Sequence, residues 1–475
     1  MPLFLQATEG AAEGVEAVAE TVRDPHVPTW VTLLFGTILV LMILALALEE
    51  KLHAKKSFIT GVAAVSSLAI AEALHLMPTD DLTNSLHEHV EMPVYIAAID
   101  WGVIAIILGS SIFVDVTSKS GLFAWIAIRL TRASKGDPFM LLVYYGLMTV
   151  VFSAMLNNVT AMIIVGSLSG VSLKKLKQGE LLMGFLLIEG LLTNVGGLLT
   201  LISSVPNIIV GQTAGISFVE FFIIASPYVA VSTAVTIVMG AKLFGIRRLA
   251  TEAEKNAAGQ LVATFDENES IESKGFFTYG AVMSVLFILG IATTSVMPVI
   301  SELGMGFVAL AFAAAMLLRY KSEVDRFYQA VDWDLIGFFA ALFIVINVME
   351  HAHVLEAIGE GLKHILDLPG SSGTLLVSAA AASSVTDNIP LAAMLANILR
   401  RLPDVSTESP LWWSVVFGAN LGGNLTPIGS ASTVVAVTVM NKNDLGMTFG
   451  RFVKMAVPYA AVQLVLAVAY VMIFL

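Results

Sequence analysis

Two short polar segments interrupt long apolar runs and carry most of the side chains able to hold an ion or a small solute. They are Ser153-Ala-Met-Leu-Asn157-Asn158-Val-Thr160 and Ser383-Ser-Val-Thr386-Asp387-Asn388-Ile-Pro390. Two further segments follow them. Asn194-Val-Gly196-Gly197-Leu-Leu-Thr200 runs on to Ser203-Ser204-Val-Pro206-Asn207, and Asn420-Leu-Gly422-Gly423-Asn424-Leu-Thr426 runs on to Gly429-Ser430-Ala-Ser432-Thr433. The paired glycines are expected to unwind a helix at little steric cost. Half-helices made this way would aim positive N-termini and open carbonyls at one point, where a solute and a coupling cation can be held together. A single hydroxyl, such as Thr193 or Ser169, reads as a bridge between packed helices. The ordered set reads as a site.

Ionisable residues inside a membrane are costly and mark function. Asp387 is the first candidate, an exchangeable carboxylate standing where the matching segment has Asn157. Glu189, in the apolar run before the first break, is the second; a carboxyl hydrogen-bonded between helices is the alternative there. Asp100 and Asp115 lie nearer the ends of apolar runs, where solvated carboxylates are common. His87-Glu88-His89 and His351-Ala-His353 read as solvated histidines rather than a metal site, with pH sensing as their other use. Asn158-Val-Thr160 and Asn268-Glu-Ser270 match glycosylation spacing but fall in the membrane and on the inner side.

These residues must be positioned by helices in lipid. Of 475 residues, 57% are hydrophobic and 13% charged, and the mean hydropathy is +0.85, outside the range of soluble domains. Runs such as Val31 to Leu48, Phe58 to Ala73, Phe277 to Thr293 and Val457 to Leu475 approach the roughly 20 residues of a spanning helix. They lack the alternation of a membrane β-barrel. There is no cysteine, so disulfides and thiolate chemistry are excluded. The net charge of −12 argues against nucleic-acid partners.

The two halves answer each other in order. Asp100-Trp101 recurs as Asp332-Trp333, the Asn157 segment as the Asp387 segment, the Asn194 segment as the Asn420 segment, and Pro227-Tyr228 as Pro458-Tyr459, all at offsets of 226 to 232 residues. Lys51, Lys55 and Lys56 after the first helix place the N-terminus outside by the positive-inside rule. The basic clusters Arg129-Arg132-Lys135, Lys174-Lys175-Lys177 and Arg247-Arg248 all fall inside if Leu122 to Leu130 lies on the surface and Pro138 to Gly170 is a re-entrant hairpin. The second half then starts inside and is inverted, with Arg400-Arg401 outside against the charge rule.

The expected fold is an all-α polytopic membrane protein with two inverted repeats, re-entrant hairpins, broken transmembrane helices and about 10 to 12 membrane segments. Residues 1–27 form an acidic extramembrane leader and 28–93 two transmembrane helices. Residues 94–246 form the first repeat, with its hairpin at about 138–170; 247–331 a polar linker with two connecting helices; and 332–475 the second repeat, with its hairpin at about 370–399.

Asp387-Asn388-Ile-Pro390 and Asn420 through Gly429-Ser430 resemble the signatures of the ion transporter superfamily, whose permeases include arsenite efflux proteins, D-type sodium/proton antiporters, the P protein and citrate-like carriers. Thr426-Pro427-Ile428-Gly429-Ser430 is similar to arsenite permeases, and Leu48-Glu49-Glu50 through His53, Lys55 and Lys56 to the end of the first helix in D-type antiporters. Family members often carry an acid where Asn157 stands and Gly-Asp where Ser203-Ser204 stands. The resemblance implies a homodimer with elevator-like alternating access.

The function expected from these readings is secondary active ion transport, sodium (or another cation)/proton antiport with Asp387 at its centre. The alternative is an anion or metalloid permease, for arsenite efflux or as a citrate- or dicarboxylate-type carrier. No HExxH, GxSxG or P-loop is present, so an enzyme is not expected. No cofactor is expected beyond sodium or proton as coupling ion. The expected partners are a small solute and the bilayer of a prokaryotic inner membrane.

Overall fold

The computed structural model describes residues 27–77, 81–83, 89–271, 273–319, 324–403 and 405–475. The leader to residue 26, His87 and Glu88 lie outside them. The chain opens with α1 (Thr29–Ala47) and α2 (Lys56–Ala73), then a ribbon of β1 (Asp81–Thr83) and β2 (His89–Glu91). The first repeat holds α3 (Trp101–Lys119), α4 (Leu122–Ala133), α5 (Pro138–Met155), α6 (Asn158–Lys175), α7 (Leu182–Gly197), α8 (Val205–Ala214) and α9 (Phe218–Leu243). The middle segment holds α10 (Glu252–Val262), α11 (Lys274–Ala292) and α12 (Pro298–Arg319, kinked at Gly304). The second repeat holds α13 (Trp333–His351), α14 (Val354–Leu366), α15 (Ser371–Ser383), α16 (Asn388–Arg401), α17 (Pro410–Gly422), α18 (Ala431–Lys442) and α19 (Phe449–Phe474). Among the described residues, ten helices are long and apolar enough to cross a membrane. The ribbon lies in the loop between α2 and α3, where strand pairing satisfies the backbone, and leaves the all-α class intact.

Equivalent positions of the repeats use the same local chemistry. Asp100 and Asp332 cap α3 and α13, each accepting from a backbone N–H three residues on at 3.0 Å. The next residues, Trp101 and Trp333, each donate from Nε1 to a carbonyl five residues back, Ile96 at 3.2 Å and Tyr328 at 2.9 Å. Asn157 and Asp387 cap α6 and α16 at the tips of the two hairpins.

The hairpins enter from opposite faces. Lys174 at the base of the first hairpin donates to Asn443, just past α18, at 2.8 Å. The broken helix α17/α18 begins close in sequence to the base of the second hairpin and runs away from it, so Asn443 marks the opposite face. Arg129 and Arg132 bond Glu267 of the linker at 3.0 and 3.1 Å, which puts α4 and the linker together. Arg400 and Arg401 both pair with Glu350, so the basic pair expected to lie against the charge rule is locally countered.

The spans sort into two groups. In the outer group α3 crosses α12 and α2 crosses α13, with α1 on α2 and α11 on α12. In the inner group the hairpins and the broken helices interlock between repeats: α6 packs on α18 and α8 on α16. Amphipathic α4 and α14 join the groups.

Small residues permit this packing. A Cβ on Gly109 would stand 2.5 Å from the Ala309 backbone, and one on Gly422 would stand 2.4 Å from Ala380 O. The paired glycines therefore serve close approach rather than unwinding, which corrects their expected role. Gly196 and Gly197 lie inside α7, Gly422 ends α17, and Gly423 keeps αR geometry; the breaks come after them. Gly422→Ala is expected to cost about 1 to 3 kcal/mol by overpacking. Gly361→Ala, where a Cβ meets nothing within 4 Å, should be neutral or slightly stabilising. Thermal unfolding of purified protein in detergent would separate the two.

Candidate ion and solute site

Both helix breaks open into non-helical backbone in the protein interior, where every freed polar group needs a protein partner. In the first break Ser203 Oγ donates to Gly197 O at 2.5 Å, and Asn207 Nδ2 to Gly197 O at 2.7 Å and Thr200 O at 3.0 Å. In the second, Thr433 Oγ1 reaches Ser430 O at 2.7 Å, Pro427 O at 3.1 Å and Gly423 O at 3.4 Å. Ser204 and Ser430, both in extended backbone, lead into α8 and α18.

Each hairpin is tied to its own break by the same two bonds. Ser153 Oγ donates to Thr193 O and Ser383 Oγ to Ala419 O, both at 2.6 Å. Thr200 Oγ1 donates to Ala154 O at 2.6 Å and Thr426 Oγ1 to Ser384 O at 2.5 Å. These pairs occupy matching positions, so the repeat extends to individual hydrogen bonds.

The repeats are then tied to each other. Asn194 Nδ2 donates to Ser430 Oγ at 2.9 Å, and the mirrored pair has Ser204 Oγ donating to Asn420 Oδ1 at 2.7 Å. Asn420 Nδ2 donates to Asn207 Oδ1 at 2.9 Å. Asn194 also donates to Asn424 Oδ1 at 2.8 Å, accepts from Ser432 Oγ at 3.0 Å, and accepts from Asn158 Nδ2 at 3.3 Å. Asn194, Asn207, Asn420, Asn424 and Thr433 are fully buried. Gly197 leaves room for Asn158, whose Oδ1 would stand 2.5 Å from an added Cβ.

The hairpin tips face the outer group. Asp387 Oδ1 accepts from Ile389 N at 3.0 Å, while Oδ2 forms an ion pair with Lys56 Nζ at the first turn of α2. Next to Lys56, Ser57 donates to Asp334 in the first turn of α13. The Asp387 tip borders a partly open pocket of about 200 Å³ lined by Ile43 and Leu46 of α1. Asn157 and Ser203 share a second cavity with Ser110 and Asp332. Both tips thus lie near the starts of α2 and α13.

Glu189 is fully buried away from this cage. Its Oε1 accepts from Ser169 Oγ at 2.5 Å, and its Oε2 has no hydrogen-bond partner among the described residues. Thr160 enters only through its backbone N–H, bonded to Asn157 at 2.8 Å, and Thr386, just past α15, bonds back to Ala382 O of that helix, 2.8 Å away. Asn388 is buried beside the tip. His353 pairs with Glu356 at 2.8 Å on α14.

Three participants escape a reading by motif. Lys56 reads as a topology-setting charge. Ser169 reads as a helix bridge yet holds Glu189. Gln463 of α19, an amide in an apolar run, accepts from Asn424 at 2.8 Å and donates to Thr236 at 3.0 Å. An amide surrounded by apolar residues is the signal that marks Gln463.

Asn420→Ala would leave Ser204 and Asn207 without their partner. Each unsatisfied buried group costs about 1 to 3 kcal/mol, so the substitution should lower the unfolding temperature markedly, while Thr160→Ala should leave it unchanged. Thermal unfolding in detergent checks this. Equal stability of the two variants would dissolve the bracing role of Asn420.

The citrate transporter family model, CitMHS, matches residues 43–418. An uncharacterized transporter of Mycobacterium tuberculosis is 29% identical over 380 residues, covering 78% of this chain and 86% of that one. The human P protein is 24% identical over 457 residues, covering 79% of this chain and 54% of that protein. Among solved structures, the Alcanivorax borkumensis YdaH transporter superposes with a TM-score of 0.57 at 15% identity, over 88% of this chain and 98% of that one, a likeness of fold. With interlocked hairpins and broken helices around a buried polar centre, and a family match across most of its length, this chain is a membrane transporter that belongs to the CitMHS citrate transporter family.

Proposed function

We propose that this protein is a secondary active transporter that carries a small carboxylate-bearing anion of the citrate class by alternating access, coupled to protons or sodium. The observation that carries this reading is the pairing of Asp387 with Lys56. The carboxylate at the hairpin tips already has its cation. What remains to meet a solute is a set of amides, hydroxyls and the N-termini of α6, α8, α16 and α18, which favour anions. The family description agrees with it.

The contact of both hairpin tips with the starts of α2 and α13, on one side of the outer group, supports alternating access. Moving the hairpin tips past α2 and α13 requires the Lys56–Asp387 pair to part, so the pair acts as a latch between core and outer helices. Sodium/proton antiport is the second reading. It is favoured by the place of Asp387 beside a cavity of about 200 Å³, where an entering cation would have to displace the Lys56 ammonium.

The test is radiolabelled citrate counterflow in proteoliposomes containing the full chain, with an internal pH dye. Wild type should show saturable counterflow. Lys56→Met leaves Asp387 unpaired at a cost on the order of 3 kcal/mol, and carried into the transport cycle that energy should weaken citrate transport by on the order of a hundredfold. Asp387→Asn in the Lys56→Met background should recover part of it. Absence of citrate counterflow, with a sodium-evoked pH change lost in Asp387→Asn, would replace this reading with antiport.

A further inference from the structure

The inverted repeat supplies an internal control for the buried acid. The offsets that relate the hairpins and breaks place Leu375 opposite Tyr145, Leu399 opposite Ser169 and Val415 opposite Glu189. All three counterparts are buried hydrophobic residues at 0 to 1% exposure. The same architecture therefore closes without an acid at this position, and the fold does not need Glu189.

The surroundings of Glu189 are suited to one task. No charged side chain faces it from α5, α6, α9, α17, α18 or α19 among the described residues; its titratable neighbour is Tyr145 of α5. Tyr145 OH lies 2.8 Å from both Thr131 Oγ1 of α4 and Ser172 Oγ of α6. Ser172 stands one turn from Ser169, which holds Oε1. Hydroxyls thus run from the surface helix α4 to within a turn of the carboxyl, while Oε2 is left open. On the other side, Thr193, one turn further along α7, accepts the Ser153 bond that ties in the first hairpin.

We propose that Glu189 is the proton-carrying carboxyl of this transporter, separate from the hairpin-tip cage. This rests on the reading of the chain as an ion-coupled transporter. A proton from water binds the ionised carboxylate at Oε2, travels with the core as a neutral acid, and leaves to water when the core reaches its other state. No other bond changes. The two carboxyls then divide the work: Asp387 latches the core to α2, and Glu189 carries the proton.

Infrared difference spectroscopy of the purified, reconstituted full chain tests this without a transported solute. Wild type and Asp387→Asn should show a deuterium-sensitive C=O band of a protonated carboxyl that fades as pH rises. Glu189→Gln and Glu189→Val should lack it, the valine variant borrowing the packing of Val415. In proteoliposomes, Glu189→Gln should lose citrate accumulation driven by a pH gradient yet keep citrate homoexchange. A band that persists in Glu189→Gln, or one that never changes with pH, would overturn the proposal, as would gradient-driven accumulation at the wild-type level. If wild type moves no citrate, the assigned substrate fails, and the infrared result still decides Glu189.

Discussion

Hydrocarbon offers no hydrogen-bonding partner, and that constraint governs the centre of this molecule. Breaking α7/α8 and α17/α18 frees several backbone carbonyls inside the protein. Asn207 and Ser203 satisfy one set, Thr433 the other, and the hairpin hydroxyls Ser153 and Ser383 cap the last turns before each break. Once those needs are met, the amides of Asn194 and Asn420 reach across to the opposite repeat. The groups that make the centre polar enough to receive a solute are thus the groups that make it stable.

Such a network is worth more complete than in part, because each member lost leaves another unsatisfied at low local dielectric. It also makes the inner group of helices a single unit. The outer group is built differently, from close glycine and alanine crossings between α3 and α12 that carry little polar chemistry. A rigid polar core beside a smooth apolar frame, joined through the surface helices α4 and α14, is a construction suited to relative displacement.

Symmetry makes the departures from it informative. Bonds shared by both repeats, such as Thr200 to Ala154 and Thr426 to Ser384, belong to the architecture. Features found in one repeat belong to this protein's own chemistry. They are the carboxylate at Asp387 where Asn157 stands opposite, the Lys56 partner that the second hairpin meets, and Glu189 with its line of hydroxyls where the second repeat packs leucine and valine.

Much of the architecture was legible in the chain itself. Ordered polar motifs at near-constant offset, together with apolar run lengths and basic clusters, determined the fold class, an all-helical membrane protein of two inverted repeats with re-entrant hairpins and broken helices, because turn chemistry and membrane burial are written locally. The glycine pairs were misread, since a need for close approach depends on what lies opposite, and their backbone is ordinary. Only the tertiary structure decided that Lys56 meets Asp387 across 331 residues, that Gln463 joins the amide network, and that Glu189 keeps one oxygen unpartnered. Those facts depend on how helices distant in sequence are set side by side, and no spacing within one helix encodes that.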